Sequence, residues 1–140
     1  MENFHIGVVG YCPPTRFNVR EAAFMARSAF DTIEIEFPDV PKIVVSGLTD
    51  VGVLAIAYAE ARKRGWKTMG IACMRAFEHP LFPVDKKIIV GATWGDESPR
   101  FLAKLDCMVR IGMGKQAVAE CAIIAARGLP TYEFDLPAIA

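Results

Sequence analysis

KIVVSGLTDVGVLAIAYAEARKRGWKTMGIAC, residues 42–73, reads as one complete strand–helix–strand unit. Lys42 to Ser46 is a short apolar run of the kind a strand buried on both faces shows, Gly47 to Gly52 is a turn, and Val53 to Arg64 is an alanine-rich helix stopped by Gly65. Trp66 to Cys73 then returns as a second buried strand. A helix between two such strands is the right-handed crossover of a parallel sheet.

The flanking sequence extends the same pattern. His5 to Gly10 is a nearly all-apolar strand ending in glycine, and Asn18 with Glu21 makes a capping-box-like start for a helix to about Phe30. Thr32 to Phe37 (TIEIEF) alternates apolar and acidic residues, which predicts a half-exposed edge strand closed by Pro38 and Pro41. Met74 to Val84, with Pro80 and Pro83, reads as a loop, and Lys87 to Ala92 as a strand. Ser98 is placed to cap a short helix to Lys104 with Pro99 at its first position. Cys107 to Gly112 then reads as a strand, Lys115 to Arg127 as a helix stopped by Gly128, and Pro130 to Phe134 as a last strand. Repeated βα units predict one domain over residues 1–140, α/β and Rossmann-like, a mostly parallel sheet with helices on both faces.

Composition narrows the function classes. Lys plus Arg and Asp plus Glu number 16 each, with no basic run to follow a phosphate backbone, so general nucleic-acid binding is not expected. No apolar stretch is long enough to span a bilayer, and Met1 to Phe4 lacks the basic region of a signal peptide, so a cytoplasmic protein without a membrane partner is expected. Cys12, Cys73, Cys107 and Cys121 have no C-x-x-C spacing and read as small core residues, while His5 and His79 have no ligand-spaced companions, so no metal site is predicted. A hydrophobic fraction of 53% is high for so small a chain. With alanine-rich helix faces at Ala22-Ala23-Ala26, Ala55-Ala57-Ala59-Ala61 and Ala122-Ala125-Ala126, it predicts a homodimer.

Three strand-to-helix turns have the composition of a ligand site: Gly10-Tyr11-Cys12; Ser46-Gly47-Leu48-Thr49-Asp50-Val51-Gly52; and Gly112-Met113-Gly114-Lys115-Gln116-Ala117. At the carboxyl ends of parallel strands, helix amino termini aim free N–H groups and partial positive charge at a ligand. Gly112-x-Gly114-x-x-Ala117 has the spacing that lets a backbone approach a phosphate, and Lys115 adds a cation. It is no P-loop, because Val109 stands where a glycine is needed and Gln116 where a Ser or Thr is needed. No G-x-S-x-G elbow surrounds Ser46. A bound nucleotide or phosphate is the expected ligand, and no cofactor is required.

Ile43-Val44-Val45-Ser46-Gly47-Leu48 and Thr68-Met69-Gly70-Ile71-Ala72 resemble the SGL turn and following strand of DNA-processing protein A. Leu105 to Gly114, followed by Glu120, resembles the P-G-G-x-G-T-x-x-E segment of the LOG phosphoribohydrolases. Both groups, with the molybdenum-cofactor carrier proteins, form the Rossmann-like SLOG superfamily. The resemblance implies nucleotide-type binding, and it assigns to Glu120 the role of the glutamate that hydrolytic members use at the sugar. Gly114 matches the second glycine, whereas Gly112, Met113 and Gln116-Ala117 depart from the motif, and the arginine before the strand falls on Glu97, with Arg100 three residues late.

Trp94 and Asp96 could face a base and a hydroxyl, Asp50 a ribose, and Glu133 or Asp135 could mimic a ribose-binding acid, although each has an ordinary structural reading as packing, a turn or a solvated charge. Three functions follow: a protein that binds a phosphate-bearing small molecule; a nucleoside-monophosphate phosphoribohydrolase acting through Glu120; and an NAD(P)-binding oxidoreductase domain suggested by the glycine spacing alone.

Overall fold

The computed structural model describes residues 2–140. Strand β1 is Phe4–Gly10 and β2 the two residues Arg16–Phe17; helix α1 is Val19–Glu36. Strand β3 (Lys42–Ser46), helix α2 (Gly52–Lys63) and strand β4 (Lys67–Ala72) follow, then a 3-10 turn at Met74–Glu78 and strand β5 (Lys86–Ile89). The rest is α3 (Ser98–Lys104), β6 (Cys107–Ile111), α4 (Lys115–Ala126), β7 (Thr131–Phe134) and β8 (Ala138–Ile139).

Six strands form one sheet in the order β5-β4-β3-β1-β6-β7, and every pairing in it is parallel. This is the Rossmann-like α/β architecture read from the sequence. The period of two along β1 separates the layers: Ile6 and Val8 pack with α1 and α2, while Val9 packs with α3 and α4. β1, β3 and β6 lie between these two apolar layers, which is why their sequences are continuous apolar runs.

One element differs from expectation. Residues 32–37 are no edge strand: α1 runs on through them to Glu36. Its buried positions, Ala22, Ala26, Ala29, Phe30 and Ile33, keep helical spacing, and Asn18 caps its start by accepting from Glu21 N–H at 3.0 Å. Residues two apart on a helix point to different sides, so Ile33 is fully buried and Ile35 is 80% exposed. The apolar–acidic alternation therefore fits a helix edge as well as a strand. The chain leaves the helix at Phe37, just before Pro38.

Smaller differences lie at the ends. The 74–84 loop contains the 3-10 turn and a bridge between Leu81 and Thr49. β8 pairs antiparallel with β2, a two-residue ladder below the reach of sequence patterning. Ser98 sits inside α3 instead of capping it. Glu133 and Asp135 are engaged by Arg110, whose buried guanidinium lies 2.8 Å from Asp135 and 3.4 Å from Glu133. Of the cysteines, Cys73, Cys107 and Cys121 are buried, while Cys12 is half-buried.

Candidate functional site

The chain leaves β1 leftward, builds β3, β4 and β5, and then returns to place β6 on the other side of β1. This reversal is the topological switch point at which open parallel sheets hold ligands. Beside it lies a cleft of about 220 Å³, on the side of the sheet that α3 and α4 cover. Its floor is Val9 and Ile71, and its walls come from the ends of β1, β3 and β4, the 94–98 segment and the first two turns of α4.

Of the residues singled out in the sequence, Gly10, Ser46, Gly47, Leu48, Thr49, Gln116, Ala117 and Glu120 line this cleft. Ser46 is buried and its hydroxyl donates to Val8 O at 2.7 Å, bracing β3 against β1. Leu48 is buried as well, and Tyr58 donates to Gly47 O at 2.6 Å, so the Ser46–Thr49 turn is held from behind. Tyr11, Asp50, Gly52, Gly112, Met113, Gly114 and Lys115 do not line it.

Tyr11 has a structural task. It is buried, its hydroxyl donates to Leu136 O at 2.8 Å and accepts from Met113 N–H at 3.0 Å, and its ring fills the space beside Gly112. Gly112 has φ 102°, and a Cβ there would lie 2.5 Å from the Tyr11 ring, so glycine is required by packing and backbone alike. Arg110 donates to Gly112 O at 2.6 Å, and Gly112 N–H donates to Phe134 O at 2.9 Å. The groups of this turn are thus largely committed to the protein.

Gly114 differs from Gly112. Its φ is −59°, and the nearest atom to an added Cβ lies 3.8 Å away, so nothing inside the chain demands glycine there. It is the N-cap of α4 and offers no side chain to the amino end of the helix, where Lys115 is exposed. The first-turn N–H groups of a helix have no partner within it, so this end is open to an anion.

Glu120 is 8% exposed, and its Oε2 accepts from the Ser98 hydroxyl at 2.8 Å, tying α4 to α3. Burial pushes its carboxyl above the ordinary range and Glu97 adds to the rise, while hydrogen bonding from Ser98 and Gln116 pulls the other way. Glu97 also lines the cleft, with one oxygen held by Gly95 N–H at 2.9 Å. Trp94 stands at the rim, 47% exposed, with His79 behind it at 6.0 Å between ring centroids. Asp96 points away into its own loop, accepting from Ala92 N–H, Thr93 N–H and the Thr93 hydroxyl, which holds its carboxyl below the ordinary range. Cys12, in the first of the three turns, lines the cleft as well, whereas Leu54 of α2 was not anticipated there. Nor were Glu97, Ser98 and Phe101, because only the return of β6 to the centre of the sheet brings the 94–101 segment over β1.

The same architecture occurs in solved structures. The molybdenum cofactor carrier protein from Chlamydomonas reinhardtii matches over 94% of this chain and 76% of its own, at 22% identity and a TM-score of 0.71. The molybdenum cofactor binding protein from Rippkaea orientalis matches over 95% and 77%, at 22% identity and a TM-score of 0.71. This chain has the Rossmann-like fold of the molybdenum cofactor carrier proteins. TM1055 shares that fold, with 24% identity, a TM-score of 0.66 and coverage of 91% of this chain and 72% of its own. No family model matches the sequence, and no curated protein does. The resemblance read from the motifs had placed the carrier proteins in the same superfamily, and at the level of fold the comparison agrees.

Proposed function

We propose that this chain binds a phosphate-bearing small molecule as a carrier or sensor, with the ring system of the ligand in the cleft and its phosphate at the amino end of α4. The observation that carries this reading is the position of the cleft, beside the switch point and next to a helix terminus that no side chain caps. A volume of about 220 Å³ takes one ring system and leaves the phosphate at the mouth, near the N–H groups of α4 and the exposed Lys115. Two proteins of the same fold are a molybdenum cofactor carrier protein and a molybdenum cofactor binding protein, which supports a pterin phosphate as one cargo beside nucleotides.

The hydrolase reading has one observation in its favour, the placement on the cleft wall of a buried Glu120, whose carboxyl burial pushes above the ordinary range. Binding accounts for more of the site, because the cleft offers Glu97 where the resembling enzymes have an arginine. Thermal shift and calorimetric titration with inorganic phosphate, AMP and GMP test the binding reading, with Gly114→Val as the variant. The valine fits the fold but covers the amino end of α4, so phosphate affinity is expected to fall about ten-fold or more. Unchanged affinity in a well-folded variant places the anion elsewhere.

The proposal includes a homodimer. Ala22, Ala26, Ala57 and Ala61 are spent on the core, whereas Val118, Ala119, Ala122, Ile123, Ala125 and Ala126 all lie exposed along α4. A helix apolar on every side calls for a cover. Light scattering at micromolar concentration decides it; a monomer mass rejects it. Among the described residues no helix is long and apolar enough to cross a membrane.

A further inference from the structure

The charge of the cleft is one-sided. Among the described residues that line it there is no Lys, Arg or His, and the charged side chains are two acids, Glu97 and Glu120. The Gly95 N–H holds one oxygen of Glu97, and the Ser98 hydroxyl holds one oxygen of Glu120. Both carboxyls belong to a wall otherwise built of apolar groups, backbone, hydroxyls, the Cys12 thiol and the Gln116 amide. A phosphate at this end would meet two carboxyls and no cation, so the anionic part of a ligand belongs at the α4 terminus and a donor-rich part belongs here.

Ring size and chemistry follow from the same walls. Trp94 supplies an exposed aromatic face at the rim, and its loop is fixed by the three hydrogen bonds into Asp96. An aromatic face beside a pair of acceptors suits a planar heterocycle with N–H donors along one edge. Guanine and pterins share such an edge, the ring N–H next to a 2-amino group. Adenine offers one amino group beside a bare ring nitrogen, whose lone pair would face a carboxylate.

Resting on the binding function proposed above, we infer that Glu97 and Glu120 read the 2-amino-4-oxopyrimidine edge of the bound ring while Trp94 covers its face. The ligand class is therefore guanine nucleotides or pterin phosphates, and adenine nucleotides are rejected. Specificity built this way depends on leaving polar groups unpaired when the wrong ring enters.

Two pairs of probes that differ at the 2-position alone decide the matter: GMP against IMP, and pterin against lumazine. Titration followed by calorimetry and by Trp94 fluorescence is expected to show a preference of about ten-fold or more for the amino-bearing member of at least one pair, and the pair that shows it identifies the source of the ring. Glu97→Gln is expected to erase that preference with the melting temperature unchanged, since Glu97 is only half-buried. Trp94→Ala, in contrast, should weaken both members of the pair alike. Equal affinity within both pairs overturns the inference and leaves the binding function standing. If none of the four probes binds while inorganic phosphate does, the edge-reading is wrong and the anion site survives; if phosphate fails too, both fall.

Discussion

Tyr11→Phe separates a structural from a ligand-binding role for a residue that stands in a glycine-rich turn. The substitution removes one oxygen and leaves the ring against Gly112, so packing is kept. It strands the carbonyl of Leu136, which lies in the core at 1% exposure and loses the 2.8 Å hydrogen bond from the phenol. The Met113 N–H loses its acceptor as well, but Met113 is 47% exposed and water can replace it. One buried acceptor left unpaired costs about 1–3 kcal/mol. With an unfolding entropy of about 2.1 cal/mol/K per residue, a chain of this length loses roughly 3–10 °C in Tm. Calorimetric melts of parent and variant measure the loss, and titration with GMP checks that affinity is kept to within a few-fold. A variant that melts within a degree of the parent, or one that keeps its Tm and loses the ligand, refutes the structural assignment of Tyr11.

The helical course of residues 32–36 makes two similar isoleucines unequal. Ile33→Ala removes a fully buried side chain and is expected to cost about 2–5 kcal/mol, whereas Ile35→Ala, at a position 80% exposed, should stay within about 0.5 kcal/mol; equal denaturation midpoints would favour the strand. Glu120 gives a pH signature. Its native pKa lies above the ordinary 4.5, so its contribution to stability is complete below that value and is lost as pH rises through the native one. Glu120→Gln should flatten that part of the curve and be more stable relative to the parent at neutral pH; parallel curves from pH 4 to 8 would contradict it.

The βα units were legible because their signals are local. The apolar runs at 42–46 and 107–111, the capping Asn18, and Gly65 and Gly128 after helices each act within a few residues of chain, and all stand where expected. TIEIEF misled because a period of two over six residues also fits one edge of a helix, and only the fit of Ile33 against Phe30 and the core separates the two.

The glycine turns could be found from sequence, but not their division of labour. Gly112 and Gly114 look alike as letters, and the Tyr11 ring, 101 residues before Gly112 in sequence, makes one a packing requirement and leaves the other free. Glu97 and Glu120 likewise line one cleft, and Ser98 bonds Glu120, because α3 and α4 lie side by side on one face of the sheet. The sequence by itself determined the βα units, TIEIEF and the two-residue β2 and β8 excepted, since backbone preference and burial pattern are short-range. Only the tertiary structure decided which turns share a cleft and what charge it carries, because strand order and long-range packing sum over the whole chain at once.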